Sequence, residues 1–177
     1  MPTARLDHTA ALSVDERAAV RALLYDVFDD LDDTDVEHAL GGLHATVWEG
    51  GELVAHGAVV QRRLLHGGRA LRAGYVEGVA VRPDRQRAGL GRTVMTTLDD
   101  VVRRAYDLGG LGATDEAVPL YASLGWRRWE GRAFALTPDG VVETPDDAGS
   151  IFVLPVEGVP LEVGGSITCD WRDGDVW

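Results

Sequence analysis

Tyr75-Val76-Glu77-Gly78-Val79-Ala80-Val81-Arg82-Pro83-Asp84-Arg85-Gln86-Arg87-Ala88-Gly89-Leu90-Gly91-Arg92 is the stretch on which the fold turns. Apolar β-formers run up to Pro83, a short polar turn follows, and then come two glycines one residue apart. Leu90, Val94, Leu98, Val101, Val102 and Ala105 continue at helical spacing. A strand that feeds a helix through glycines creates a helix N-terminus whose backbone amides can hold a phosphate. Gly89 and Gly91 let backbone approach a bulky anion with no Cβ in the way. Arg85, Arg87 and Arg92 add positive charge. The stretch has no Gly-Lys-Ser/Thr, so it is not a P-loop, and Gly-x-Gly-x-x-Gly is not met either. Spacing alone leaves a ligand-free strand-to-helix turn as an equal reading.

On strict alternation Tyr75, Glu77, Val79 and Val81 share one strand face. Glu77 is then a carboxylate in an apolar strand, either functional or turned to water. Working back from it, residues 43–49, 52–65 and 70–81 read as three strands. Gly50-Gly51 and Gly67-Gly68 join them into an antiparallel meander. Ser13 and Glu16 form a capping box ahead of an amphipathic helix bearing Val20, Leu23, Leu24, Val27 and Phe28. Residues 4–12 read as an opening strand. The acidic run Asp29-Asp30-Leu31-Asp32-Asp33-Thr34-Asp35 is a solvated loop or a lip of carboxylates for a cation. Thr34 and Glu37 predict a second capping box and a short helix over 35–40, ended by Gly41-Gly42.

Beyond the helix, Leu108-Gly109-Gly110-Leu111-Gly112 reads as a short strand open to close approach by backbone or ligand. Residues 120–124 are predicted helical, with Pro119 in the first turn and Gly125 as the stop. Residues 126–136 and 150–156 read as strands, with a turn at Pro138-Asp139-Gly140 and an acidic loop at Thr144-Pro145-Asp146-Asp147. Strands alternating with helices, and hairpins among them, predict an α/β protein with a mixed, α+β sheet, as one domain over residues 1–177.

The net charge is −12 and all 17 basic residues are arginine, a balance that argues against nucleic acid and favours a cationic partner. No apolar run reaches the ~18 residues of a membrane span, and the N-terminus has no apolar signal core. With Cys169 the single cysteine, no internal disulfide forms, which fits a cytoplasmic chain. His38, His44 and His56 are scattered without metal-ligand spacing and read as satisfied structural histidines, and no metal is expected. Cys169 reads as structural too.

Val81 followed by Gln86-x-x-Gly89-x-Gly91 resembles the acetyl-coenzyme A loop of the GCN5-related N-acetyltransferase (GNAT) superfamily. Leu120-Tyr121-x-x-Leu124-Gly125-Trp126 is similar to that superfamily's second signature. Gly41-Gly42-Leu43-His44-Ala45, Gln61-Arg62-Arg63-Leu64, the block from Gly74 to Arg82, Thr144-Pro145-Asp146-Asp147 and the tail from Cys169 to Trp177 resemble the aminoglycoside 2′-N-acetyltransferases over nearly the whole chain.

The resemblance implies the GNAT fold, a central, mostly antiparallel, splayed sheet flanked by helices. It implies acetyl transfer from acetyl-coenzyme A to the 2′-amine of a cationic aminoglycoside, by direct attack in a ternary complex, conferring antibiotic resistance. It implies a homodimer. Glu77 becomes the general base, acting through water, and Tyr121 the general acid beside the sulfur. Val79 and Val81 present backbone groups to the acetyl oxygen and the pantetheine arm, and Gln86, Arg87, Ala88, Gly89, Gly91 and Arg92 hold the pyrophosphate. Asp30, Asp35, Glu77, Gly78, Asp147, Asp175 and Trp177 are implied acceptor contacts, with Asp146 and Asp170 weaker candidates. The Trp177 carboxylate is a candidate to bind an amine or order the proton path, and the acidic, tryptophan-bearing tail is expected to fold back over the cleft. The loop Gly112-Ala113-Thr114-Asp115 departs from a serine-rich stretch in relatives, which puts its contacts in doubt. Two other readings are a GNAT enzyme for a different cationic amine and a catalytically silent acyl-coenzyme A sensor. Retention of Glu77 and Tyr121 speaks against the sensor.

Overall fold

The computed structural model describes residues 3–177. Packing divides the chain into two compact units. One is the chain up to Val60 with Val76–Asp100, and the other is Gln61–Tyr75 with Val101–Trp177.

In the first unit, strand β1 (Arg5–His8) pairs antiparallel with β2 (Leu43–Glu49), Asp7 opposite His44. β2 pairs antiparallel with β3 (Glu52–His66), Thr46 opposite His56, with a register slip between Val47 and Trp48. Gly50 (φ 60°) and Gly51 (φ 87°) form the turn between them, a pair of left-handed residues that matches the strands' twist. β4 (Arg69–Val81) is the next strand beside β3. The three strands of the predicted meander are therefore present within a residue or so of their expected ends.

Helix α1 (Val14–Val27) begins at the predicted capping box: Ser13 Oγ accepts from the Glu16 amide at 3.1 Å and Glu16 Oε2 from the Ser13 amide at 2.8 Å. Its Val20, Leu23 and Leu24 bury against Val36, Leu53 and Ala80, each contributing about 1.5–3 kcal/mol of apolar transfer when fully buried. Helix α2 (Asp33–His38) starts two residues earlier than expected, because Asp32 and Asp35, not Thr34 and Glu37, make the capping box. That choice puts Leu31 just before the cap and Val36 at the fourth helical position, and both join the same apolar cluster as a hydrophobic staple. The opening strand is also shorter than expected: a 3-10 turn over Thr9–Ala11 ends it. Helix α3 (Leu90–Ala105) packs its Val94 and Leu98 on Gly57, where a Cβ would stand 2.7 Å from Val94 Cγ1.

The second unit holds the outer halves of β3 and β4. β5 (Leu108–Gly112) pairs parallel with β4, Gly74 opposite Gly109. β6 (Arg127–Arg128), β7 (Ala133–Thr137), β8 (Gly140–Glu143), β9 (Ile151–Pro155) and β10 (Ile167–Cys169) complete a strand order β6-β9-β5-β4-β3-β10-β7-β8. The glycines of β5 admit rings: a Cβ on Gly110 would lie 2.8 Å from Tyr75, and one on Gly109 2.8 Å from Trp126. The expected strand over 126–136 is broken. Glu130 and Gly131 turn their amides to the Val163 carbonyl, and a Cβ at Gly131 would collide with the Gly165 oxygen at 1.9 Å. β8 and β10 were not foreseen.

Buried Arg62 ties the tail to β3. Its Nε donates to Asp170 Oδ1 and its Nη2 to the Asp170 carbonyl, each at 2.8 Å, while Arg63 N–H donates to Asp170 Oδ2 at 3.1 Å. The Arg62 guanidinium lies 4.6 Å from the buried Tyr75 ring and Arg172 lies 5.5 Å from it. Asp170 is thus committed to a structural pair. Cys169 is buried, and burial pushes its thiol up to about 11.

The expected sharing of one face by Tyr75, Glu77, Val79 and Val81 fails at Gly78, the one left-handed residue inside β4 (φ 56°). Gly74 meets Val102 of α3 and Tyr106 just beyond it, whereas Val79 meets the Gly57 patch with Val94 and Leu98 of the same helix. Positions on one face should differ by an even number, so β4 carries an irregularity between them, centred on Gly78.

Candidate active site

The donor loop lies within the first unit. After β4, a 3-10 turn over Pro83–Arg85 leads to Gln86, and the chain reaches α3 through Arg87 (φ 62°) and Gly89 (φ 82°). The first helical bond is from the Thr93 amide to the Gly89 carbonyl at 3.0 Å, so the Leu90 and Gly91 amides precede the ladder and face outward from the helix end. No acidic residue sits in that first turn, which keeps the helix dipole's positive end available to an anion. Gln86, Arg87, Ala88, Gly89 and Arg92 are exposed, Val79, Val81 and Gly91 half-buried. Arg82 is engaged by Asp84 and Glu52, and Arg85 by Glu49 and Asp84, so these pairs brace the turn. Sequence spacing had grouped Arg85 with Arg87 and Arg92. The ion pairs assign it to the brace.

Glu77 is half-buried directly before the Gly78 irregularity. The Gly78 carbonyl accepts from His56 Nδ1 at 2.8 Å, and His56 Nε2 stands 2.9 Å from His44 Nδ1. Burial pushes both imidazoles down to about 4, so both rings are neutral near pH 7. Asp30 is exposed; Asp35 is half-buried, one carboxylate oxygen accepting from the Asp32 amide at 3.0 Å in the α2 cap.

In the second unit, Asp147, Asp175 and Trp177 come together around Thr144. The buried Trp177 indole N–H donates to Thr144 Oγ1 at 2.9 Å, and its main-chain amide donates to Asp175 Oδ1 at 3.2 Å. Arg172 Nη2 donates to the Trp177 main-chain oxygen at 2.9 Å. Burial, and then the charges of Asp175 and Asp146, push the Asp147 carboxyl up, against a hydrogen bond from Thr144. A partly desolvated cluster of like charges is a place for a cation. Gly112 borders it, a Cβ there standing 3.7 Å from the Trp177 oxygen. Tyr121, on helix α4 (Val118–Ser123), is 5% exposed and lies among Trp126 and Phe152, with ring centroids 6.2 and 6.4 Å away.

Sequence reasoning did not single out Thr144, Arg172 or Thr9. The first two make the tail's anchoring bonds, and a threonine or arginine in a polar loop carries no pattern that announces such a bond. Among the described residues no three His, Cys, Asp or Glu side chains converge as metal ligands, and no helix is long and apolar enough to cross a membrane.

Residues 11–129 match the family model described as an acetyltransferase (GNAT) domain. An aminoglycoside 2′-N-acetyltransferase of Mycolicibacterium fortuitum is 50% identical over 179 residues, covering 99% of this chain and 92% of that protein. Among solved structures, Escherichia coli ElaA superposes with a TM-score of 0.60 at 21% identity, covering 87% of this chain and 99% of that one. A GCN5-related N-acetyltransferase of Kribbella flavida gives a TM-score of 0.59 at 21% identity, over 74% of this chain. This chain spans only 34% of the Kribbella protein. At such identities the two structures speak for the fold alone.

Proposed function

The chain belongs to the aminoglycoside 2′-N-acetyltransferases of the GNAT superfamily, and from that premise we propose that it moves the acetyl group of acetyl-coenzyme A to the 2′-amine of an aminoglycoside. A resistance enzyme of this kind neutralises one of the antibiotic's positive charges. The amine nitrogen attacks the thioester carbon, a C–N bond forms, and the C–S bond breaks. One proton leaves the amine and one reaches the coenzyme A thiolate.

The single observation that carries the donor half is the connection from Val81 to Gly91. Its left-handed Gly89 opens a helix end with outward amides and no acidic residue in its first turn. Gln86, Arg87, Ala88, Gly89, Gly91 and Arg92 hold the pyrophosphate there, and the Val79 and Val81 backbone receives the pantetheine arm. Glu77 takes the amine's proton through water. Tyr121 protonates the thiolate, a role favoured by a phenol with little solvent around it. Positioning of the two substrates supplies much of the acceleration.

Asp30, Asp35, Asp147 and Asp175 hold the acceptor's ammonium groups, and Gly78 and Trp177 are further acceptor contacts. The support is the raised carboxyl of Asp147 and the overall charge of −12, which draws a polycation in and disfavours nucleic acid. Residues 1–177 act as one catalytic domain, since the family match runs through both compact units. The enzyme works without a metal, in the cytoplasm, where its donor is made, and as a homodimer.

A thiol-release assay tests the reading. Acetyl-coenzyme A with an aminoglycoside bearing a 2′-amine should be turned over, and with one bearing a 2′-hydroxyl it should not. Equal turnover would overturn the 2′ assignment, and no turnover would overturn the acceptor class.

A further inference from the structure

Two buried histidines take no part in that chemistry. They link a surface turn to the strand that carries Glu77, all within the first unit. His44 Nε2 is 2.7 Å from Thr9 Oγ1, His44 Nδ1 is 2.9 Å from His56 Nε2, and His56 Nδ1 is 2.8 Å from the Gly78 carbonyl oxygen. Thr9 Oγ1 in turn accepts the Gly41 amide at 2.9 Å.

The carbonyl at one end decides where every proton sits. A carbonyl oxygen only accepts, so His56 Nδ1 carries the hydrogen. In a neutral ring His56 Nε2 is then bare and accepts from His44 Nδ1–H. His44 Nε2 is bare in turn and accepts the Thr9 hydroxyl, whose oxygen accepts from Gly41. All the bonds run one way, towards Gly78, and bonds aligned in this manner strengthen one another.

The chain ends on an unusual residue. Gly78 is left-handed inside a strand, and a Cβ there would stand 3.1 Å from Leu24 Cδ2. Its carbonyl is held by a side chain, and its peptide neighbour is Glu77. We propose that Thr9, His44 and His56 are positioning residues for acetyl transfer: a one-way hydrogen-bond chain that fixes the Gly78 peptide in its left-handed turn and so aims the Glu77 carboxyl. The proposal rests on the reading of Glu77 as the base.

Long-range 1H–15N correlation on the full-length protein at neutral pH reads the tautomers directly. Both rings should carry their proton on Nδ1, and a proton on His56 Nε2 overturns the chain. Thr9→Val removes only the hydroxyl, at a site remote from the substrates in sequence. It should leave the His44 proton on Nδ1, because the Gly78 end is intact, strip His44 Nε2 of its donor and lower kcat roughly fivefold, the worth of about one hydrogen bond, with the acetyl-coenzyme A KM unchanged. Unchanged kcat overturns the proposal. His56→Asn keeps a donor for Gly78 and should retain several-fold more kcat than His56→Leu; equal loss in the two overturns the positioning role. Glu77→Gln separates the two claims. If it abolishes turnover while Thr9→Val does nothing, the chain alone has failed. If it leaves turnover intact, the base assignment has failed.

Discussion

Trp177 donates its indole N–H to Thr144 Oγ1 at 2.9 Å, a bond that spans 33 residues and joins the tail to the loop carrying Asp147. The Thr144 side chain also helps to hold the Asp147 carboxyl down, and the Asp147 amide donates to the Thr144 carbonyl at 3.2 Å. Thr144→Val should therefore destabilise the protein by about 1–2 kcal/mol, since a buried indole N–H loses its partner. It should raise the KM for the aminoglycoside and leave that for acetyl-coenzyme A unchanged. Thr144→Ser keeps the hydroxyl and should behave as the native enzyme. Denaturant midpoints and two-substrate kinetics check both halves, and equal changes in the two KM values would contradict the local role.

Asp147 is raised by burial first and by Asp175 and Asp146 second. Removing a neighbouring negative charge favours the carboxylate form. Asp175→Asn should thus move the Asp147 titration to lower pH, followed by 13C carboxyl shifts, while weakening aminoglycoside binding. An unmoved titration would show that the two side chains do not sense one another.

Gly89 is left-handed and has open space where a Cβ would go. Gly89→Ala therefore tests backbone conformation without a clash. It should cost about 1–2 kcal/mol of local conformational preference and raise the acetyl-coenzyme A KM. Arg87 is left-handed while bearing a side chain, so Arg87→Gly should leave stability unchanged or slightly improved and still raise the donor KM through the lost charge. A large stability loss on Arg87→Gly would mean that the arginine makes a structural contact.

The turns and the long strands were legible in the sequence because their signals are local. Two double-glycine turns bounded β3 and β4, and Leu108–Gly112 read as a strand with the ends it has. The α2 cap was misread because the acidic segment offers two capping boxes at the same spacing. The decision lies in Leu31 and Val36 reaching one apolar cluster, which is tertiary packing. β10 escaped because three residues carry little periodicity, and its partner is the outer half of β3 about a hundred positions away. For the site, the donor loop was visible because glycine spacing is chemistry in itself. The histidine pair was not legible. Counted from the Gly50-Gly51 turn, an unbroken ladder sets Ala45 opposite His56 and puts His44 on the other face; the register slip between Val47 and Trp48 brings Thr46 opposite His56 instead, and with it His44 onto the same face. No pattern announced the Gly78 carbonyl either, which turns that pair into a directed chain.

That chain makes acid a specific stress. Both imidazoles lie near 4 in the fold, while an unfolded histidine titrates near 6.5, so between these values the unfolded chain binds more protons. Stability then rises with pH in this window: it is fully present above about 6.5 and lost as pH falls towards 4. The groups beside His44 are Asp7, which favours its protonation, and His8, which opposes it; His56 has the Gly78 carbonyl in favour and His44 against. One extra proton can enter at His44 Nε2 if the Thr9–His44 bond alone reverses, with Thr9 turning its hydroxyl to the Gly42 carbonyl at 3.3 Å. A second cannot, because two N–H groups would face each other across 2.9 Å. The unfolded chain takes up two protons below about 6.5 and the native pair at most one, so the loss by pH 4 should exceed the ~3 kcal/mol of one such shift. Glu16, held down to about 2 by the Ser13 amide first and Arg5 second, adds its own acid sensitivity only below its ordinary range near 4.5. Urea unfolding followed from pH 7 to 4.5 isolates the histidine effect. A flat profile there would mean that the rings are protonated in the native state and that the chain does not run towards Gly78.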